Sequence, residues 1–162
     1  MKHSFVKLLA CVGILAAFTA CGSRKSQVYY DYKTQYIATE LDGSYTVRSW
    51  GRARNAADAF QQAHKQAVYD VLFTGLTPAS SNLRPVKALV LEVNARDKYA
   101  DYFNAFFADG GAYTKFSSVK ERRWSSSRWS RTESQSVCET TVCVFASELK
   151  KQLIEDGIIK QE

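Results

Sequence analysis

The sequence predicts an α+β domain: a mainly antiparallel sheet with helices packed on one face, preceded by a signal peptide and a tether. Three observations carry that prediction. Two long β-rich segments, Tyr113–Trp124 and Ser134–Ala146, follow one another across a Ser-rich connection, as an antiparallel pair does. Helical periodicity appears in separate stretches before and after that pair. The resulting order is strand, helix, short strand, helix, strand, strand, helix, which fits helices on one face of an antiparallel sheet.

Residues 1–20 read as a leader. Lys2, His3 and Lys7 make a basic start, and Leu8–Ala20 is an uninterrupted run of thirteen apolar or small residues. A charged start, a short apolar run and small residues at its end describe a secretory signal peptide. Thirteen residues are too few to cross a hydrocarbon core, which needs about twenty. Phe18-Thr19-Ala20-Cys21 resembles the lipobox of bacterial lipoproteins, whose cysteine thiol is acylated and becomes the new N-terminus. That pattern usually has Leu, Val or Ile where this chain has Phe18. Cleavage after Gly22, with Ala20 and Gly22 as the small pair, is the alternative and would leave a secreted soluble protein. On the lipobox reading Cys21 is the lipidation site. Each buried methylene contributes about 0.8 kcal/mol, so a cysteine bearing more than one acyl chain is held to the membrane permanently. Gly22 follows the cysteine where an Asp would signal inner-membrane retention, so known sorting rules imply the outer membrane. No acidic residue stands among Gly22, Ser23, Arg24 and Lys25, which favours the periplasmic face.

Residues 21–41 read as a lipidated tether, spanning roughly 25 Å r.m.s. if it is flexible coil. Tyr29, Tyr30, Tyr32 and Tyr36 are unusual in a simple linker; its far end packs as an edge strand or lies against the domain. Asp42-Gly43 is a turn signal, and residues 42–162 read as a single α+β domain. The mature chain of 142 residues is long enough to bury a core without staples. Lys2 and Lys7 leave with the leader, so twenty basic residues face sixteen acidic ones, a mild +4.

Tyr45–Gly51 reads as a strand and runs into the clearest helix of the chain. Asn55 caps it and Asp58 completes a box-like start. Ala56, Phe60, Ala63, Ala67 and Val71 then recur at helical spacing, a small-residue face that lets the helix sit close on a sheet. Gly75 is its stop. Thr77–Arg84 reads as loop and Pro85–Val93 as a short strand. Asn94 and Asp97 repeat the capping arrangement ahead of an aromatic stripe, Tyr99, Tyr102, Phe103, Phe106 and Phe107, that reads as core. Asp109-Gly110-Gly111 ends that helix. The last helix runs from Ser147 to Asp156 with Leu149, Leu153 and Ile154 inward; Gly157 ends it, and Ile158 folds back onto Leu153.

Tyr45–Ala53, followed by the alanine-spaced helix, resembles the opening of a group of small bacterial envelope lipoproteins related to the N-terminal domain of a flagellar assembly protein. Thr141–Phe145, Leu149, Leu153 and Gly157-Ile158-Ile159 are similar to the end of the same domain. Asn94-Ala95-Arg96 with Tyr102–Phe107 is similar to lipoproteins of this type in gut-type anaerobes. The resemblance implies a domain that builds or braces an envelope machine; a type VI secretion membrane complex is one machine of that kind. It carries over no catalytic residues.

The residues themselves argue against catalysis. His64 is the only histidine of the mature chain, so no His-rich metal site is expected and no cofactor is implied. A satisfied boundary histidine explains it better than a general base. Asp97 and Asp101 lie four apart, where helix capping and solvation explain them better than paired acid/base work. No Gly-x-Ser-x-Gly, phosphate loop or Cys-x-x-Cys is present. On one continuous strand Cys138 and Cys143 point to opposite faces about 17 Å apart and cannot bridge. A tight turn at Thr140-Thr141 would bring them together, but two-residue hairpins want Asn-Gly or similar. A single strand with two buried thiols is the expectation.

The conspicuous surface candidate is the cluster Lys120, Arg122, Arg123, Trp124, Arg128, Trp129 and Arg131, with one acid, Glu121. Arg and Trp are over-represented at interface hot spots. The expected function is therefore a lipid-anchored structural or assembly component of the envelope, acting by protein–protein contact. The alternative is a binding module for an anionic envelope polymer such as peptidoglycan, using the same Arg/Trp hairpin. Nucleic acid is not expected in that compartment, and neither is an enzyme.

Overall fold

The described residues fold as an α+β domain around a five-stranded mixed sheet with four helices. The computed structural model describes residues 33–128 and 134–160, the side chains of 125–128 and 134–135 aside. The leader, Cys21 and most of the tether lie outside those residues, as do Trp129 and Arg131. The elements are β1 (Gln35–Thr39), β2 (Tyr45–Ala53), α1 (Ala56–Tyr69), β3 (Thr77–Pro78), α2 (Ala95–Lys98), α3 (Ala100–Phe106), β4 (Ser117–Arg128), β5 (Ser134–Val144) and α4 (Ala146–Glu155).

The strands lie in the order β3-β1-β2-β5-β4. β1 to β2, β2 to β5 and β4 to β5 are antiparallel, while β3 adds to β1 in parallel. β1 falls inside the stretch expected as a tether: Tyr36 is buried and pairs with Val47, so the far end is a strand of the sheet, but not the expected edge strand, because β3 pairs along its other side. The domain therefore begins ahead of residue 42.

β2 alternates as its sequence demands. Val47, Ser49 and Gly51 are buried toward α1, and Arg48, Trp50 and Arg52 take the opposite face. The close approach predicted from the alanine face is real and is centred on Gly51. A Cβ there would stand 2.0 Å from the Ala59 carbonyl oxygen and 2.5 Å from the Ala63 nitrogen, so only glycine admits the helix at this distance. Ala59, Ala63 and Ala67 are fully buried, and Ser49 Oγ donates to the Ala63 carbonyl at 2.7 Å. Ala56, expected on that face, is exposed. The helix starts as predicted: the Asn55 side chain accepts from the Asp58 N–H at 2.8 Å and donates to the Asp58 carboxylate at 2.7 Å.

Two expectations in the middle of the chain are corrected. Pro85–Val93 is not a strand. α1 runs into a π-helical turn, Asp70–Thr74, and the helix end leaves carbonyls without intrahelical donors. The Leu89 and Val90 N–H groups supply them, donating to Val71 and Leu72 at 3.0 and 2.9 Å. The extended segment caps a helix instead of joining the sheet, apart from one bridge, Leu76 to Val86. Nor does Asn94 cap through its side chain: it is left-handed (φ 60°), and the aromatic helix breaks at Tyr99 into α2 and α3. The stripe still packs as core, with Phe103 and Phe106 buried and Phe73 edge-on to Phe103 at 4.8 Å.

α4 ends as the sequence specifies. Gly157 is left-handed (φ 71°); its N–H donates to Ile154 at 3.1 Å, and Ile158 donates to Leu153 at 2.9 Å, both apolar side chains being buried. Ile154, expected inward, is half-buried. Leu149, Leu153 and Ile158 join Tyr36, Val47, Val142, Val144, Val68 and Leu72 in one core on the α1 side of the sheet.

Candidate functional site

β4 lies at the free edge of the sheet, and its register with β5 decides where the basic cluster points. Val119 pairs with Val142 and Glu121 with Thr141, so Lys120 is an extra residue in a bulge. Beyond it, Arg122 and Trp124 pair with Thr140 and Cys138, which belong to the α1 side, while Glu121 and Arg123 lie on the opposite face. Neighbours in sequence are therefore divided between the two faces.

Each described cation of the cluster has a partner inside the fold. Lys120 Nζ donates to Glu40 Oε1 at 2.7 Å and to Thr46 Oγ1 at 3.1 Å, and the Thr46 hydroxyl donates to the same carboxylate oxygen at 2.7 Å. The Lys120 hydrogen bond, then that from Thr46, holds the Glu40 carboxyl below its ordinary range, and Glu40 raises Lys120 in return. Arg123 Nε pairs with Glu121 Oε1 at 3.0 Å. The Arg122 guanidinium lies over the Phe60 ring at 4.0 Å from its centroid, a cation–π contact that holds the hairpin against α1. Trp124 remains 50% exposed at the edge. β4 carries Arg128 at its end; the side chain of Arg128, like Trp129 and Arg131 entirely, lies outside the described residues.

Behind this edge sits His64. It is buried between Phe60 and Tyr113, with ring centroids 5.8 and 5.2 Å away. Ser117 Oγ donates its one proton to the Tyr113 carbonyl at 2.8 Å, so His64 Nε2–H donates to Ser117 Oγ, also at 2.8 Å. Burial, and then the Arg122 charge, hold the imidazole below its ordinary pKa. The ring is a neutral packing element with a satisfied Nε2.

The face of the sheet away from α1 carries a second set of polar residues that the cluster does not include. Glu139 on β5 lies 3.4 Å from Arg48 Nε and accepts from Trp50 Nε1 at 3.2 Å. The signal was present in the alternation Arg48, Trp50, Arg52 along β2, which marks an outward face. Asp97 and Asp101 are both exposed, one in α2 and one in α3.

Cys138 and Cys143 are free, buried and on one continuous strand. Cys138 lies opposite Gly51 and Cys143 opposite Thr46, on different faces of the sheet. Among the described residues no group of three or more His, Cys, Asp or Glu side chains is placed to hold a metal ion. Among them, too, no helix is long and apolar enough to cross a membrane. Comparison with protein-family models, curated proteins and solved structures returned no match.

Proposed function

We propose that the chain is a lipid-anchored periplasmic component of a bacterial envelope assembly, held to the outer membrane through acylated Cys21 and acting by protein–protein contact rather than by catalysis. The observation that carries the contact is β4: a twelve-residue strand at the open edge of the sheet, with Trp124 half-exposed on it. An edge strand presents unpaired backbone N–H and C=O groups, the template for pairing with a strand of another chain. The basic side chains along it and the bulge at Lys120 restrict which strand can add. The leader pattern ending at Cys21 and the likeness of Tyr45–Ala53 to envelope lipoproteins support the location. Internal pairing of Lys120, Arg122 and Arg123 favours protein contact over an anionic polymer, because these cations are already engaged.

Co-purification from detergent-solubilised native membranes tests this reading. A stoichiometric protein partner is expected, lost on Trp124→Ser combined with Arg128→Glu while the melting temperature holds. Binding to purified sacculi that weakens steeply with salt, with no protein partner recovered, would replace the proposal by the polymer reading. Mass spectrometry of the native protein tests the anchor: Cys21 is expected to carry acyl groups.

A further inference from the structure

Four lysines far apart in sequence converge on one groove of about 720 Å³: Lys87 before the helix-capping segment, Lys98 at the end of α2, Lys150 on α4 and Lys160 past its C-terminal turn. Among the described residues Glu92 is the one acid along it and is spent on Lys98, at 2.6 Å. Among the described residues no carboxylate pairs with Lys87, Lys150 or Lys160. Apolar side chains, Leu89 and Ile159 among them, complete the wall. Leu91 borders both this groove and a neighbouring concavity of about 660 Å³, and Val93 borders the second. Leu91 is 68% and Val93 82% exposed, an aliphatic pair standing on the ridge between two hollows.

From this juxtaposition we infer that the Leu91/Val93 ridge with Lys87, Lys150 and Lys160 is a docking surface for an anionic phospholipid bilayer. The apolar pair enters the boundary between headgroups and acyl chains, and the lysines meet phosphate oxygens beside it. Aliphatic side chains held proud beside lysines without carboxylate partners suit a bilayer, whose headgroup boundary takes the apolar tips while its phosphates face the cations. Each lysine near a negatively charged membrane adds to the attraction, which salt screens. Here β4 stays free for a protein partner, because none of its described side chains borders either hollow. The inference does not depend on the anchor: a chain with an unmodified Cys21 still docks.

The full chain carrying Cys21→Ser, which excludes acylation, is floated with phosphatidylcholine vesicles with or without about one third phosphatidylglycerol. Any contribution of residues 1–20 is shared by all variants, so the difference between variants is read. Binding to the anionic vesicles is expected to be more than tenfold stronger than to the neutral ones and to collapse in high salt. Lys87→Glu with Lys150→Glu is expected to remove that preference, and Leu91→Ser with Val93→Ser to weaken binding at unchanged circular dichroism. Arg122→Glu, on the sheet, is expected to leave it intact. Equal binding to both vesicle types, or groove variants that bind like the parent, would overturn the inference. Either failure leaves the acylation of Cys21 standing, and an unacylated Cys21 in native protein leaves this docking standing.

Discussion

The two faces of β2 are separated by one residue step and obey different rules. On one face Val47, Ser49 and Gly51 meet α1 with no free space, and a single added methyl group has nowhere to go. On the other, Arg48 and Trp50 reach a shared carboxylate, Glu139, whose side chain keeps about a third of its surface in water. Contact on the first face is set by backbone distance and contact on the second by charge. The first should therefore govern stability, and the second should tolerate change.

The largest effect that would sharpen this contrast is expected at Gly51. Gly51→Ala forces its methyl group into the α1 backbone and should cost about 3 kcal/mol, the upper end of overpacking penalties, read as a fall in the urea midpoint. A cost below about 1 kcal/mol would mean that α1 can lift off the sheet, and the contrast would break. His64 gives a smaller effect with a defined sign. Its folded pKa lies below the unfolded value, so the unfolded chain binds the extra proton. Its contribution is complete above about pH 6.5 and is lost as the pH falls through and below that value. Urea midpoints across this range should decline with acid, and His64→Gln should flatten the decline. The lysines of Lys120–Glu40 and Lys65–Asp109 hold both acids below their ordinary range, so what these pairs contribute is complete throughout the His64 window and is lost only as the pH falls through the carboxylate range. The smallest effect is expected on the outer face: Glu139→Gln should change stability by less than about 1 kcal/mol, because both charged partners are partly solvated. A large loss there would show that the outer face is also part of the structural core.

Local signals in this sequence were readable where a backbone need and a side-chain type coincide. Asn55 with Asp58 and the Gly157-Ile158 stop are complete within a few residues, and both formed as written. Pro85–Val93 has the composition of a strand, while its hydrogen-bond partners are helix-end carbonyls created by a π-helical turn that no spacing announces. Asn94 has the residue type of a cap but the left-handed backbone of a turn. The basic cluster was legible as composition and not as a surface, since strand alternation and the Lys120 bulge divide it between two faces. The lysine groove left no trace in the sequence. Its cations come from the loop, α2, α4 and the chain end, and only the folded topology makes them neighbours.

The bonds from Leu89 and Val90 to carbonyls of the π-helical turn after the first helix have a mechanical corollary. That stretch runs straight into the ridge-bearing residues Leu91 and Val93, so the ridge is fastened to the interior rather than hung from a slack loop. Displacing it means breaking two backbone hydrogen bonds and uncovering Val71 and Leu72, both of which are buried in the core. The ridge and the turn that ends the first helix are thereby held as one piece, by backbone bonds as well as by packing.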